Sequence, residues 1–170
     1  MKKLLSVFLA LTLALTLAAC GGSNGNNGGN GGETAQEAPD LQAYFDDLMA
    51  DFGEEAPAMM DLSQDTATIE SMFPGLEDYE LKQTVLQAAA ISAVAYEIDL
   101  VECASESDVE AVKGIFQARI DNQIAGGAFY PATVEAWQNA ELIVNGNVVA
   151  LIVAGEDQAQ AVESFNSLFA

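Results

Sequence analysis

A tight-turn dipeptide divides an apolar stretch near the C-terminal end of this sequence. Asn145-Gly146 separates residues 141–144 from residues 148–154, and both flanking segments consist largely of Leu, Ile and Val. Asn-Gly is favoured in two-residue type I′ turns because both residues tolerate positive φ. We therefore predict a β-hairpin over residues 141–154, which commits this part of the chain to an antiparallel sheet.

A further strand is predicted at residues 94–103, where side chains alternate between the two faces of a sheet. One face holds Tyr96, Ile98 and Leu100, and the other holds Glu97, Asp99, Val101 and Cys103. Residues 81–90 suit either a helix or a strand, because three alanines favour the first and Thr84 and Val85 the second. We favour a strand.

The clearest helix signal follows residues 94–103. Ser107-Asp-Val-Glu110 matches a capping box, in which Ser and Glu satisfy the free amides of the first turn. Gly126-Gly127 ends the segment, since glycine terminates helices. Between these signals runs an apolar stripe at helical spacing. It comprises Val109, Val112, Phe116, Ile120 and Ile124, with Ile115 beside it.

Four more helices are predicted from apolar spacing and from their caps. The first covers residues 41–52, between a capping Asp40 and a terminating Gly53. A short helix covers residues 66–73 after Asp65. A third covers residues 132–139 after the Tyr130-Pro131 turn and carries Trp137, and a last one buries Val162, Phe165 and Phe169.

The order strand, strand, helix occurs twice, and matching apolar positions lie fifty residues apart. Val101 corresponds to Leu151, and Cys103 corresponds to Val153. We predict an α+β fold, with an antiparallel sheet of about four strands and helices packed on one face. The pattern indicates a duplicated ββα unit preceded by an N-terminal helix, within a single domain at residues 40–170.

The first nineteen residues have the features of a secretory signal peptide. Lys2 and Lys3 precede an apolar run at residues 4–19. That run is shorter than the roughly 20 residues that a membrane-spanning helix needs. A charged start, a short apolar stretch and small residues at its end are typical of a cleaved signal.

Leu17-Ala18-Ala19-Cys20 resembles the lipobox of bacterial lipoproteins. The resemblance implies cleavage between Ala19 and Cys20, a diacylglyceryl group on the Cys20 thiol, and a chain anchored to the outer face of the cell membrane. The alternative is an ordinary signal peptide with an incidental cysteine. Residues 20–39 are mostly Gly and Asn at their start and are expected to form a flexible linker.

The chain is strongly acidic, with a formal net charge of −21. Beyond the signal peptide the basic residues are Lys82, Lys113 and Arg119. This excludes nucleic-acid binding, which requires a basic surface, and disfavours adhesion of the domain to an anionic membrane. The acidity either keeps the surface soluble or attracts cations and basic peptides.

No motif in the sequence predicts catalysis. The chain contains no histidine, which removes the usual partner of a nucleophilic cysteine and a common zinc ligand. Cys103 is expected to be a small buried apolar residue. Asp61, Ser63 and Asp65 have the first spacings of an EF-hand loop, but the Gly and Glu that the loop requires are absent. We predict no enzyme activity, no metal site and no cofactor.

Three residues are candidates for a ligand or partner surface. Tyr130 and Trp137 flank a loop and either line a groove or seal the edge of the core. Arg119 either pairs with a neighbouring carboxylate such as Glu97 or receives an anionic ligand.

Several of these features together resemble a known family. They are the strand beginning Tyr96-Glu97-Ile98, the long helix carrying Arg119, the Tyr130-Pro131 turn, and the Asn145-Gly146-Asn147 hairpin. In this combination residues 40–170 resemble small lipoproteins of Gram-positive bacteria that are defined by a domain of unknown function, DUF4358. The resemblance implies an extracytoplasmic address and no particular activity.

Three functional hypotheses follow, in order of preference. The first is a non-catalytic lipoprotein whose domain binds a protein or other ligand at the cell envelope. The second is a hydrolase that cleaves wall glycans with two carboxyl groups, one of them in an apolar pocket. The third is a binder of cations or basic peptides, whose binding would weaken with salt.

Overall fold

A five-stranded antiparallel sheet organises residues 38–170, which are the residues that the computed structural model describes. The strands are β1 (Met59–Asp61), β2 (Leu81–Ala89), β3 (Tyr96–Cys103), β4 (Glu141–Asn145) and β5 (Val148–Ala154). Their spatial order is β1-β2-β3-β5-β4. The predicted α+β class is confirmed, with five strands instead of about four. The additional strand is β1, which is too short to show an alternating pattern.

Five helices surround the sheet, and all five were predicted. They are α1 (Leu41–Phe52), α2 (Thr66–Met72), α3 (Val109–Asn122), α4 (Pro131–Gln138) and α5 (Gln158–Ser167). The predicted caps are confirmed at α1 and α2. The Asp40 carboxylate accepts a hydrogen bond from the Ala43 amide at 3.0 Å, and Asp65 accepts one from the Ala67 amide at 3.1 Å.

The predicted signal peptide, the cleavage site at Ala19 and the lipid attachment site at Cys20 lie outside the described residues. Among residues 38–170, no helix is both long enough and apolar enough to cross a bilayer.

Helices pack on both faces of the sheet, so the prediction that they cover one face is wrong. One core contains α1 and α5, with Leu41, Leu48 and Phe165 against the sheet. The other contains α2, α3 and α4, with Val112 and Phe116 against the opposite face. All residues of β3 and β5 are buried as a result. The architecture is therefore three layers, with an antiparallel sheet in the middle.

The side-chain period of two distributes β5 between these two cores. Val148, Ala150 and Ile152 face α1 and α5. Val149, Leu151 and Val153 face α3 and α4. A continuous apolar run is what a strand buried on both faces requires.

The two predicted ββα units do not superimpose as one repeated unit. β3 and β5 are antiparallel neighbours. The twofold rotation that exchanges two such strands has its axis perpendicular to the sheet, so it does not exchange the two faces of the sheet. This rotation would leave both following helices on the same face. Instead α3 and α5 lie on opposite faces. The fifty-residue spacing reflects a shared order of elements and similar apolar composition.

Three local predictions are corrected by the structure. Asn145 pairs with Val148, so the turn residues are Gly146 and Asn147, with Gly146 at a φ of 55°. The first turn before α3 is capped by Ser105, whose hydroxyl accepts from the Ser107 amide at 3.3 Å. A 3₁₀ turn at Glu106–Asp108 displaces the predicted capping box. Ile124 is exposed, because the helix has already passed its last buried residue, Ile120.

Candidate functional site

A cavity of about 380 Å³ opens at one end of the sheet, on the face covered by α3 and α4. The end of β2 and the start of β3 form its floor. Helix α3 contributes Arg119 to its wall, and α4 contributes Thr133 and Trp137. Met60 of β1 and Met72 of α2 close the remaining side. The cavity therefore combines apolar side chains with polar ones from Ser92, Gln123 and Thr133 and with one buried charged pair.

Arg119 and Glu97 form that pair. Arg119 Nε and Nη2 donate to the two carboxylate oxygens of Glu97, each at 2.7 Å. The fork matches the carboxylate in the planar geometry that only arginine provides. Burial works against the charge on Arg119, but the hydrogen bonds and charge of Glu97 outweigh it and raise the pKa of the guanidinium. The pairing with Glu97 that the sequence suggested is confirmed.

Two aromatic rings hold the guanidinium in place. Its central carbon lies 5.2 Å from the centroid of the Trp137 ring and 6.0 Å from that of Phe73. Both distances are within the range of a cation–π contact. Trp137 is itself only 4% exposed. It therefore seals the core, and its remaining surface lines the cavity.

Asp99 is the second carboxyl group of the site. It lies two residues after Glu97 on the same face of β3, between Leu86 of β2 and Leu151 of β5. Its side chain is fully buried, and within residues 38–170 neither carboxyl oxygen accepts a hydrogen bond from a side chain. Burial first, and the charge of Glu97 second, raise the pKa of Asp99 well above its ordinary value.

The described domain thus places one guanidinium near two buried carboxyl groups, and only Glu97 forms hydrogen bonds with it. Since Glu97 occupies the fork with both oxygens, Asp99 gains little compensation from Arg119. A buried charge without a partner is strongly disfavoured. The arrangement is therefore a neutral ion pair beside a carboxyl group that favours its protonated form.

Six exposed apolar side chains belong to the segments that line the cavity, and we call this set the apolar rim. It comprises Met60, Ile91, Val94, Ile124, Phe129 and Tyr130, each of them at least 39% exposed. Met60 and Val94 line the cavity directly. Ile91, Ile124 and Phe129 are each next in sequence to a residue that lines it. The rim holds six of the seven large apolar side chains that are exposed in the described part of the chain.

Phe129 and Tyr130 are the most prominent members of the rim. Phe129 is 86% exposed. The two rings meet edge to face with their centroids 5.7 Å apart. The backbone beneath them is fixed, because the Thr133 hydroxyl accepts from the Tyr130 amide at 3.2 Å and donates to its carbonyl at 2.8 Å. These rings are therefore held in solvent by the start of α4.

The structure brings the three predicted surface residues to one place. Arg119 and Trp137 are in contact, and Tyr130 lies at the adjacent rim. Phe129 and Asp99 were missed. An aromatic residue two positions after Gly126-Gly127 is a usable signal for Phe129, whereas the alternation of β3 made Asp99 resemble an exposed residue.

Cys103 is fully buried and unpaired, as the sequence suggested. In the described region, no group of three or more His, Cys, Asp or Glu side chains is arranged to hold a metal ion.

Comparison with known proteins gives one match. A family model described as a domain of unknown function (DUF4358) matches residues 53–154. These residues contain all five strands together with α2, α3 and α4. They therefore include the cavity and the whole apolar rim, while α1 and α5 on the other face fall outside. No curated protein and no solved structure matches the chain.

Proposed function

This chain belongs to the DUF4358 family, which is defined by a domain of unknown function, and we propose that it is a non-catalytic binding protein of the cell envelope. In this proposal the apolar rim and the cavity hold a partner. The observation that carries it is the concentration of exposed apolar side chains in the segments that line one cavity. Contiguous apolar patches with polar surroundings are typical of interaction sites.

The proposal includes lipid anchoring through Cys20 in a Gram-positive cell. Its support is the sequence from Leu17 to Cys20 and the glycine- and asparagine-rich segment that follows. Two acyl chains would provide stable attachment, because each buried CH₂ contributes about 0.8 kcal/mol and a single chain binds only marginally.

The position where the chain enters the described domain suits such an anchor. The Gln83 side chain donates to the Pro39 carbonyl and accepts from the Leu41 amide, both at 3.0 Å. Gln83 lies near the start of β2, whereas the cavity lies at the end of β2, about 20 Å away at ~3.3 Å per residue. A tether that reaches Pro39 would leave the rim free for a partner.

The alternative of a glycan hydrolase gains no support from the carboxyl groups of Glu97 and Asp99. Such an enzyme needs a carboxylic acid and a carboxylate that both reach the sugar. Asp99 has no exposed surface and does not line the cavity. Both oxygens of Glu97 are occupied by Arg119. This geometry assigns the pair a structural role.

Capture of the partner in intact cells tests the proposal. The full chain is expressed with an affinity tag in a Gram-positive host, alongside a variant with Phe129→Ala and Tyr130→Ala. We expect crosslinking to recover a partner with the wild type and much less of it with the variant. Val144→Ala is the matched control, since Val144 is exposed on β4 but lies outside the rim. Equal recovery with all three chains would contradict the proposal.

Anchoring has a separate test. Replacement of Cys20 by Ser should abolish incorporation of labelled fatty acid and should move the chain out of the membrane fraction. If the Cys20→Ser chain remained in that fraction with its label unchanged, lipid attachment at Cys20 would be wrong.

A further inference from the structure

We infer that the partner held at the apolar rim presents a basic segment, rich in Lys or Arg, with at least one aliphatic or aromatic anchor residue. This inference rests on the proposed function and specifies the chemistry of the partner. It combines two independent features of the described domain: the apolar rim around the cavity and the absence of free positive charge around it.

Every cation of residues 38–170 is engaged with a carboxylate. Lys82 Nζ lies 3.0 Å from Glu102, and Lys113 Nζ lies 3.5 Å from Glu110. Arg119 is occupied by Glu97 at 2.7 Å and is largely buried. The remaining carboxylates of this strongly acidic chain have no cation of the domain to balance them. A partner that approaches from any side therefore meets negative potential.

The elements that form the cavity carry the same sign of charge on their exposed surfaces. Asp61 directly follows Met60 in β1, so its exposed side chain lies on the other face of the strand. Asp121 of α3 and Glu135 of α4 each lie two residues from residues that line the cavity, and therefore on the outer sides of these helices. All three are exposed. Arg119 is the one cation among the residues that line the cavity, and Glu97 cancels it. The cavity lining thus carries no net charge, and the exposed outer surfaces of the elements that form it are acidic.

This combination distinguishes between possible occupants. A second copy of the chain would bring an equal negative charge to the contact and would be repelled. An anionic lipid surface would be repelled for the same reason. A basic segment would be attracted and accelerated toward the site, because complementary charge steers association. Its anchor residue would enter a cavity whose methionines, Met60 and Met72, adapt readily to different side chains.

Model peptides test the inference directly. The full chain is placed in nanodiscs of zwitterionic lipid, and binding of fluorescent 12-residue peptides is followed by anisotropy. One peptide combines Lys and Phe, the second Lys and Ser, and the third Glu and Phe. We expect the Lys/Phe peptide to bind most tightly and its affinity to fall with added salt. Phe129→Ala with Tyr130→Ala should weaken it about tenfold or more, and Val144→Ala should not.

Each other result overturns the inference in a recognisable way. Equal binding of the Glu/Phe peptide would show that charge does not select the partner, although rim-dependent capture in cells would still support the proposed function. If the Lys/Ser peptide bound as tightly as the Lys/Phe peptide, with an affinity that the rim substitutions do not change, the result would show only a general attraction of basic peptides to an acidic protein. Rim-dependent binding of anionic vesicles, measured in parallel, would identify a membrane in place of a basic segment.

Discussion

At the scale of single residues, the unusual feature is a carboxyl group inside the core. Asp99 lies on a central strand, and its oxygens accept no side-chain hydrogen bond in the described region. Its protonation is therefore linked to folding. In the unfolded chain an Asp releases its proton near pH 3.9. In the folded domain burial and Glu97 raise the pKa of Asp99, so the folded state retains the proton to higher pH.

The sign of the resulting pH dependence follows from linkage. Below the unfolded pKa both states hold the proton, and Asp99 imposes no penalty on folding. As the pH rises toward the folded pKa, only the folded state still holds it, and the free energy of unfolding falls. The stability associated with Asp99 is thus complete at low pH and is lost as the pH increases.

Replacement of Asp99 by Asn should remove this loss. Asn has nearly the same shape and does not ionise. We expect the stability advantage of Asp99→Asn over the wild type to grow between pH 4 and pH 8 and to reach at least ~1 kcal/mol, since one pKa unit corresponds to about 1.4 kcal/mol. Urea denaturation at several pH values measures it. Asp121→Asn on the exposed surface of α3 is the control, and equal pH profiles for both variants would contradict the expectation.

Breaking the Arg119–Glu97 pair should be costly. Arg119→Leu leaves Glu97 buried without a cation and beside Asp99, and loss of one partner of a buried pair typically costs about 3–5 kcal/mol. The double variant with Glu97→Gln should recover part of this loss, because no unpaired charge remains. The urea midpoint at constant m value measures both. Additive losses in the double variant would mean that the two side chains are not coupled.

At the scale of elements, replacement of glycine by alanine should change the stability of the domain in opposite directions at two positions. Gly146 lies in the β4–β5 turn at a φ of 55°, where a side chain costs roughly 1–2 kcal/mol. Gly114 lies on the exposed side of α3, and an added Cβ there meets no atom within 4 Å. Gly146→Ala should therefore destabilise the domain, whereas Gly114→Ala should stabilise it by about 0.5–1 kcal/mol. Thermal melts measured side by side check both signs, and a shared sign would refute the assignment of the turn.

Helices and strands with strong local signals could be predicted from the sequence. Helix α1 combines apolar spacing, a capping Asp40 and a terminating glycine, and each of these signals is local. The hairpin was identified by Asn-Gly, although the turn lies one residue later. A type I′ turn needs positive φ at both central residues, which Gly and Asn tolerate. The dipeptide alone therefore does not decide whether its glycine is the first or the second central residue.

The distribution of helices over both faces could not be predicted because of the acids in β3. Glu97 and Asp99 made one face of the strand resemble a solvated surface. They are buried because Arg119 arrives from α3, more than twenty residues away, and sequence spacing carries no information about that contact. The continuous apolar run of β5 was the opposing signal, since it indicates burial on both faces.

The candidate site was predictable to a similar extent. Arg119 and its pairing with Glu97 followed from the scarcity of cations in the sequence. The rim did not, because its members come from β1, the β2–β3 loop and the segment joining α3 to α4. Only the folded sheet brings these segments to one end.

At the scale of the whole molecule, charge opposes compactness. A net charge of −21 makes the folded domain repel itself, and salt should relieve this repulsion. Raising NaCl from about 10 mM to 150 mM shortens the Debye length from about 30 Å to 8 Å. We expect the melting temperature of the full chain at pH 7 to rise by several degrees. At pH 4, where many carboxylates are protonated, the rise should be much smaller, and an equal rise at both pH values would contradict the electrostatic origin.

The net negative charge of the chain and the apolar rim both support the proposal that the cavity end of the domain holds a partner. The most direct measurement is site-specific crosslinking in living cells. A photo-crosslinking amino acid is introduced into the full chain at position 129 of the rim or at position 144 of the edge strand. We predict a defined crosslinked species from position 129, and none from position 144. Crosslinking from position 144 alone, or identical products from both positions, would contradict it.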